Sequence, residues 1–325
     1  MISINENIIS NILDTHSIEI NKLIAIKKQS VIDFQNTPDK SGGRSKPRIP
    51  INLNNNERDY LNLLINGFES IILANPNKIK TYKVLFDRLI TGSDISKNHK
   101  EFKNELLIRM GYSNLRNEYY PIFFQKTGIK ACVYCNSQLT VTVRTISNTK
   151  SAKYQVDHFL PKSEYPCFSI SFFNLLPVCG PCNGKKSASA VNFNVYSSNP
   201  IDLKTSPFKF ELDKKSIVSY RLDGNKNKLQ IKFIDPSNRG FDENFDIEGI
   251  YNTQKDLAEE LILKSMIYKE SYLKSLKISF KKLYPNKMPM VERLLVGNYT
   301  DEKDIHKRPM AKFTQDIARQ LKLIK

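Results

Sequence analysis

Two Cys-x-x-Cys pairs, Cys132/Cys135 and Cys179/Cys182, constrain this chain more than any other feature of its sequence. Each such turn can present two thiolates to one ion, and a tetrahedral zinc site takes four soft ligands at about 2.3 Å. One bound ion therefore has to bring the two pairs together in space, whatever folds between them. Residues 136–178 form that insert, longer than a compact zinc ribbon requires, and they carry the segment Val156-Asp157-His158-Phe159-Leu160-Pro161-Lys162. A redox thiol pair in a reducing compartment would leave the second Cys-x-x-Cys without a purpose, so a structural zinc on all four cysteines is the expectation. The fifth cysteine, Cys167, lies apart from both pairs and is expected to be a small buried apolar side chain.

Inside the bracket, the run from Lys153 to Val156 reads as extended and leads into Asp157-His158, with Pro161 stopping it. Neighbours on a strand point to opposite faces, so Asp157 and His158 serve different partners. A neutral imidazole can take a proton from water near pH 7, and a carboxylate oxygen suits a hard divalent cation. Asn174-Leu175-Leu176-Pro177-Val178 reads as a second strand, and Gly180 to Ala190 as a helix that begins at the second cysteine pair. Asn183 in its first turn is expected to face the strand bearing Asp157. Lys185 and Lys186 lie on the same helix, and Lys162 lies in the loop; all three are candidate phosphate contacts, with a solvated face as the plainer role.

The order of these elements resembles the HNH endonuclease family, the ββα-metal nucleases, over about Lys130 to Ala190. Asp-His-x-x-Pro, Asn-Leu-x-Pro and Cys-x-x-Cys-Asn-x-x-Lys follow in the family's sequence. The resemblance implies His158 as the general base that activates water and Asp157 and Asn183 as ligands of a catalytic Mg²⁺ or Mn²⁺. It implies Asn174 as the residue that ties the loop and holds His158 in place. Asn183 stands where many members have histidine, and its neutral oxygen favours a hard cation. A non-catalytic zinc module that binds nucleic acid or protein is the competing class. Zinc binding alone does not require Asp157, His158, Asn174 and Asn183 in this register.

A net charge of +17 on 325 residues, with a pI near 9.5, creates a field that attracts polyanions. Nucleic acid is the expected partner, DNA ahead of RNA. The first residues lack a basic start followed by an apolar core, and no apolar run approaches the ~20 residues that span a bilayer, so the expectation is a cytoplasmic protein with no membrane contact. His16, His99 and His306 have no ligand-spaced companions and are expected at the surface.

The flanks read as an α+β chain with a mainly helical body and a small antiparallel sheet. Residues 1–128 are expected as a helical region with a linker near 36–56, residues 129–200 as the nuclease unit, and residues 201–325 as strands followed by helices. Apolar residues from Leu61 to Ile72 step at helical spacing behind Asn56 as a cap, with Asn75-Pro76 closing the helix. Helices are also expected over Tyr82–Leu89, Glu101–Met110 and Tyr119–Thr127. Phe208–Leu212, Ile217–Leu222 and Leu229–Ile234 read as strands, Thr253–Tyr284 as one long amphipathic helix, and Pro309–Leu323 as a shorter one.

There is no Gly-rich phosphate loop. This layout resembles HNH effector subunits of bacterial antiphage systems such as the Septu type, which works beside an ATPase. That resemblance implies an ATPase partner. A free-standing restriction or homing nuclease is the alternative within the enzyme class, and no familiar DNA-reading signature supports it.

Overall fold

A computed structural model describes residues 1–40, 49–146, 148–187, 191–285 and 289–324. The middle of the expected linker, with Ser41-Gly42-Gly43 and Pro47, and the last residues of the expected Gly180–Ala190 helix lie outside them.

The described residues are mainly helical, with small two-stranded sheets. Among helices of at least seven residues, the N-terminal part contributes α1 (Glu6–Thr15), α2 (Ser17–Asn36), α3 (Asn55–Asn66), α4 (Pro76–Asp87), α5 (Lys100–Met110), α6 (Tyr112–Glu118) and α7 (Tyr120–Thr127). Asn54, rather than Asn56, caps α3: its side chain accepts from Glu57 N while the Glu57 carboxylate accepts from Asn54 N. The apolar stripe then divides at Gly67, and Asn75 caps the following helix, α4, with Pro76 in its first turn. Gly111 takes a left-handed conformation (φ 72°) between α5 and α6, which suits glycine and turns Tyr112 toward the centre of the molecule.

The central part holds β1 (Gln155–His158) and β2 (Leu175–Val178), paired antiparallel with Asp157 opposite Leu176 and His158 opposite Leu175, followed by α8 (Gly180–Lys186). All four β2 side chains are buried, as a doubly covered strand requires.

In the C-terminal part, β3 (Lys209–Leu212) pairs antiparallel with β4 (Ile231–Ile234). The segment Ile217–Leu222, expected as a strand, instead lies within helix α9 (Lys214–Asp223). Asp213 accepts from Ser216 N at its start and left-handed Gly224 ends it. The long helix expected from Thr253 to Tyr284 divides at Tyr268-Lys269 into α10 (Lys255–Ile267) and α11 (Glu270–Leu283). Helices α12 (Pro289–Val296) and α13 (Ala311–Gln320) complete the chain, and α13 is buried almost throughout.

One contiguous apolar core runs from Met1 to Ile324 through all three parts. Of the three histidines expected at the surface, His306 is buried and His99 is half-buried. His306 is 8% exposed and its Nε2 bonds the Ile2 carbonyl at 2.8 Å. The His99 ring is held between Glu57 (2.7 Å) and Asp94 (3.3 Å), because its position just before α5 faces α3 rather than solvent. His16 is partly exposed.

Candidate metal centre and adjoining cleft

The Sγ atoms of Cys132, Cys135, Cys179 and Cys182 lie within 4.8 Å of one another, and all four residues are buried. The first pair sits in a tight turn: Asn136 N donates to Cys132 O at 2.9 Å, and Asn136 follows with a left-handed φ of 55°. Cys179 occupies the N-cap of α8, which places Cys182 one turn into the helix on the side facing the first pair. Backbone and hydroxyl donors reach two of the four sulfurs. Ser137 N and Oγ donate to Cys135 Sγ at 3.4 and 3.1 Å, and Cys179 N donates to Cys132 Sγ at 3.3 Å. Hydrogen bonds from the Cys132, Cys179 and Cys182 thiols and from Ser137 hold Cys135 well below the usual thiol range. Four soft donors within one ion's reach can bind a metal such as zinc. Cys167 is fully buried away from this cluster, and burial pushes its thiol up.

Beside the cluster opens a cleft of about 380 Å³ whose walls include Asp157, His158, Lys162 and Asn183. Three elements meet there. β1 supplies Asp157 and His158, α8 supplies Asn183, and α6 supplies Tyr112 and Arg116.

His158 is almost wholly buried. Its Nε2 bonds the Ser169 carbonyl at 2.9 Å. A carbonyl only accepts, so Nε2 carries the proton and Nδ1 keeps its lone pair. Burial lowers the His158 pKa to about 3, so the ring is neutral near pH 7. The Tyr112 ring packs against it at 4.6 Å between centroids, and the Tyr112 hydroxyl donates to Val156 O at 3.0 Å.

Asn174 spans the loop that leaves His158. Its Oδ1 accepts from Leu160 N at 2.7 Å, and its Nδ2 donates to the carbonyls of Leu160 and Phe168, each at 3.1 Å. The loop end that carries Ser169 O is thereby fixed relative to the strand end that carries His158.

Asp157 accepts from the Tyr134 hydroxyl at 2.6 Å and faces Lys186 Nζ at 3.2 Å. Burial pushes its carboxyl upward, while Lys186 and Tyr134 oppose that shift. Lys186 differs from expectation. It is fully buried, and its ammonium is spent on Asp157 and on the His158 carbonyl at 2.9 Å. Three residues beyond Asn183 on α8, it falls on the face covering the strand pair, not on the solvated face. Lys185 is at the surface and pairs with Asp246. Lys162 is half-buried at the cleft with its Nζ 4.3 Å from the centre of the Tyr112 ring.

Asn183 Nδ2 donates to Gln155 Oε1 at 2.6 Å, which leaves Asn183 Oδ1 as an acceptor. With the unused lone pairs of the Asp157 carboxylate, the cleft offers oxygen donors of the kind that hold Mg²⁺ or Mn²⁺, ions that keep several of their waters.

Tyr112, Tyr134, Gln155 and Arg116 were not singled out in the sequence. Tyr134 lies inside the first Cys-x-x-Cys and Gln155 two residues before Asp157, positions from which a partner could have been sought. Tyr112 and Arg116 are remote in sequence from the motif, and no local pattern marks them.

Over 55 residues, 17% of this chain, the sequence is 44% identical to the Septu protein PtuB of Bacillus thuringiensis. That stretch spans 18% of the Bacillus protein. No family model matches the chain, and no solved structure matches it. Among the described residues, no helix is long and apolar enough to cross a membrane.

Proposed function

We propose that this chain is an HNH-type endonuclease that hydrolyses phosphodiester bonds in nucleic acid, DNA ahead of RNA, as the effector of an antiphage defence system with an ATPase partner. The observation that carries the chemistry is the meeting of Asp157, His158 and Asn183 in one cleft backed by the four-cysteine cluster. The local likeness to a Septu protein supports the defence role.

In this reading zinc held by Cys132, Cys135, Cys179 and Cys182 fixes the first turn against α8. A divalent cation held by Asp157 and Asn183 supplies charge stabilisation at the phosphate when bound. The protein's own part is proton transfer and positioning. His158 Nδ1 accepts a proton from water as the water oxygen bonds to phosphorus and the bond from phosphorus to the 3′ oxygen breaks. The 3′ oxygen leaves with the electron pair and is protonated from solvent. Ser169 O holds the ring's tautomer, and Asn174 holds the loop bearing Ser169.

The test is cleavage of supercoiled plasmid, single-stranded DNA and total RNA by the wild type and His158→Ala, with Mg²⁺, with Mn²⁺ and without either. Metal-dependent cleavage that falls by about 10²–10⁴-fold in His158→Ala, with zinc content retained, is expected. Inert protein, alone and with an ATPase encoded beside it, would overturn the reading in favour of a zinc-dependent binding module.

A further inference from the structure

The cleft carries more positive charge than its carboxylate balances. Its charged lining consists of Arg116, Asp157 and Lys162. Asp157 is already answered from behind by buried Lys186. Among the described residues, neither Arg116 nor Lys162 has a carboxylate within ion-pair range. Lys162 is half-buried with its ammonium over the Tyr112 ring. Its pKa is lowered first by that burial and then by the charge of Arg116. Two cations lining one cleft, one of them partly desolvated, are stabilised when an anion enters between them.

Arg116 is placed there by an element outside the strand pair. It lies four residues after Tyr112 on α6, so both side chains share one helix face. Tyr112 fastens that face to the strand: its hydroxyl bonds Val156 O, and its ring covers His158. The lysines on α8 cannot take this role, since Lys186 is buried and Lys185 pairs with Asp246.

We propose that Arg116 and Lys162 form a clamp for a phosphodiester of the bound nucleic acid, so that the active site is shared between the N-terminal helices and the strand pair. The identity of the anion rests on the nuclease reading. The planar guanidinium can pair two non-bridging oxygens at once, while the ammonium acts as a point charge beside the base.

The clamp is tested by binding, separately from cleavage. A labelled oligonucleotide is titrated by fluorescence anisotropy into His158→Ala protein at 50–200 mM salt, without Mg²⁺ or Mn²⁺. The same titration is made with Arg116→Gln, Lys162→Gln or Arg116→Lys added on that background. Each glutamine variant is expected to weaken binding several-fold and to lower the slope of log K against log salt by about 0.7–0.9, one phosphate contact. Arg116→Lys should keep the slope. Lys22→Gln, a change at an exposed position on α2, serves as the control. No measurable binding by the His158→Ala protein, or slopes unchanged in both glutamine variants, overturns the clamp whether or not the wild type cleaves. Slopes that fall as expected in a protein that never cleaves would instead remove the nuclease reading and leave the clamp in place.

Discussion

Lys186 shows how one side chain can change role between sequence and fold. Beside Lys185 in a basic helix it reads as a phosphate contact, yet its ammonium lies in the interior between the Asp157 carboxylate and the His158 carbonyl. Removing one member of a buried pair leaves the other charge uncompensated, which costs about 3–5 kcal/mol. Lys186→Met is therefore expected to lower unfolding free energy by an amount of that order, measured by urea denaturation of zinc-loaded protein, and adding Asp157→Asn should return much of it. A Lys186→Met protein of wild-type stability but with a lower salt slope for nucleic acid would restore the phosphate role. Asn174, which the family resemblance implies as the residue that ties the loop, bonds Leu160 and Phe168 through its side-chain amide.

At the scale of elements, capping outweighed apolar spacing. Ile217, Val218, Tyr220 and Leu222 suggested a strand, but Asp213 at one end and Gly224 at the other enclose a helix, with Val218 and Leu222 exposed. Helix α11 carries no buried residue, and the break before it at Tyr268-Lys269 has no proline or glycine to announce it. The strand pair and α8 depend on the cysteines in a different way. Cys179 is both a thiol of the cluster and the N-cap of α8, and α8 carries Asn183 and Lys186. Purified protein is accordingly expected to hold about one zinc ion per chain. Cys182→Ser should lose most of that zinc and unfold at lower temperature, read by metal analysis and circular dichroism on the same sample. Retention of full zinc and full stability by Cys182→Ser would show that the cluster is not a metal site.

At the scale of the molecule, the first cysteine turn is built into the C-terminal part of the fold. Lys130 N and Ala131 N donate to His306 O, Asn136 Nδ2 donates to Ile305 O, and Tyr251 donates to the Cys135 carbonyl at 2.9 Å. Tyr134, whose hydroxyl holds Asp157, stacks on Phe245 at 4.5 Å. The other side of the cleft leans on α6. A fragment of residues 129–200 would expose these faces, and it is expected to show no cooperative unfolding transition even with zinc present, as followed by thermal denaturation beside the full chain. Cooperative unfolding of the fragment would mean that the unit stands alone and that the flanking contacts only decorate it.

The sequence by itself determined the two cysteine pairs, the two short strands with Asp157 and His158 at the end of one, and the helix that starts at the second pair and carries Asn183. Those features are local: fixed spacings, a strand's alternation and a helix's turn dictate them within a few residues. What only the tertiary structure decided is which distant groups answer them. Tyr134 and Lys186 on Asp157, Ser169 O on His158, the buried state of His306, and Arg116 across the cleft all depend on contacts between elements far apart along the chain. A buried polar group must find a partner wherever packing places one, and neither composition nor periodicity encodes that address.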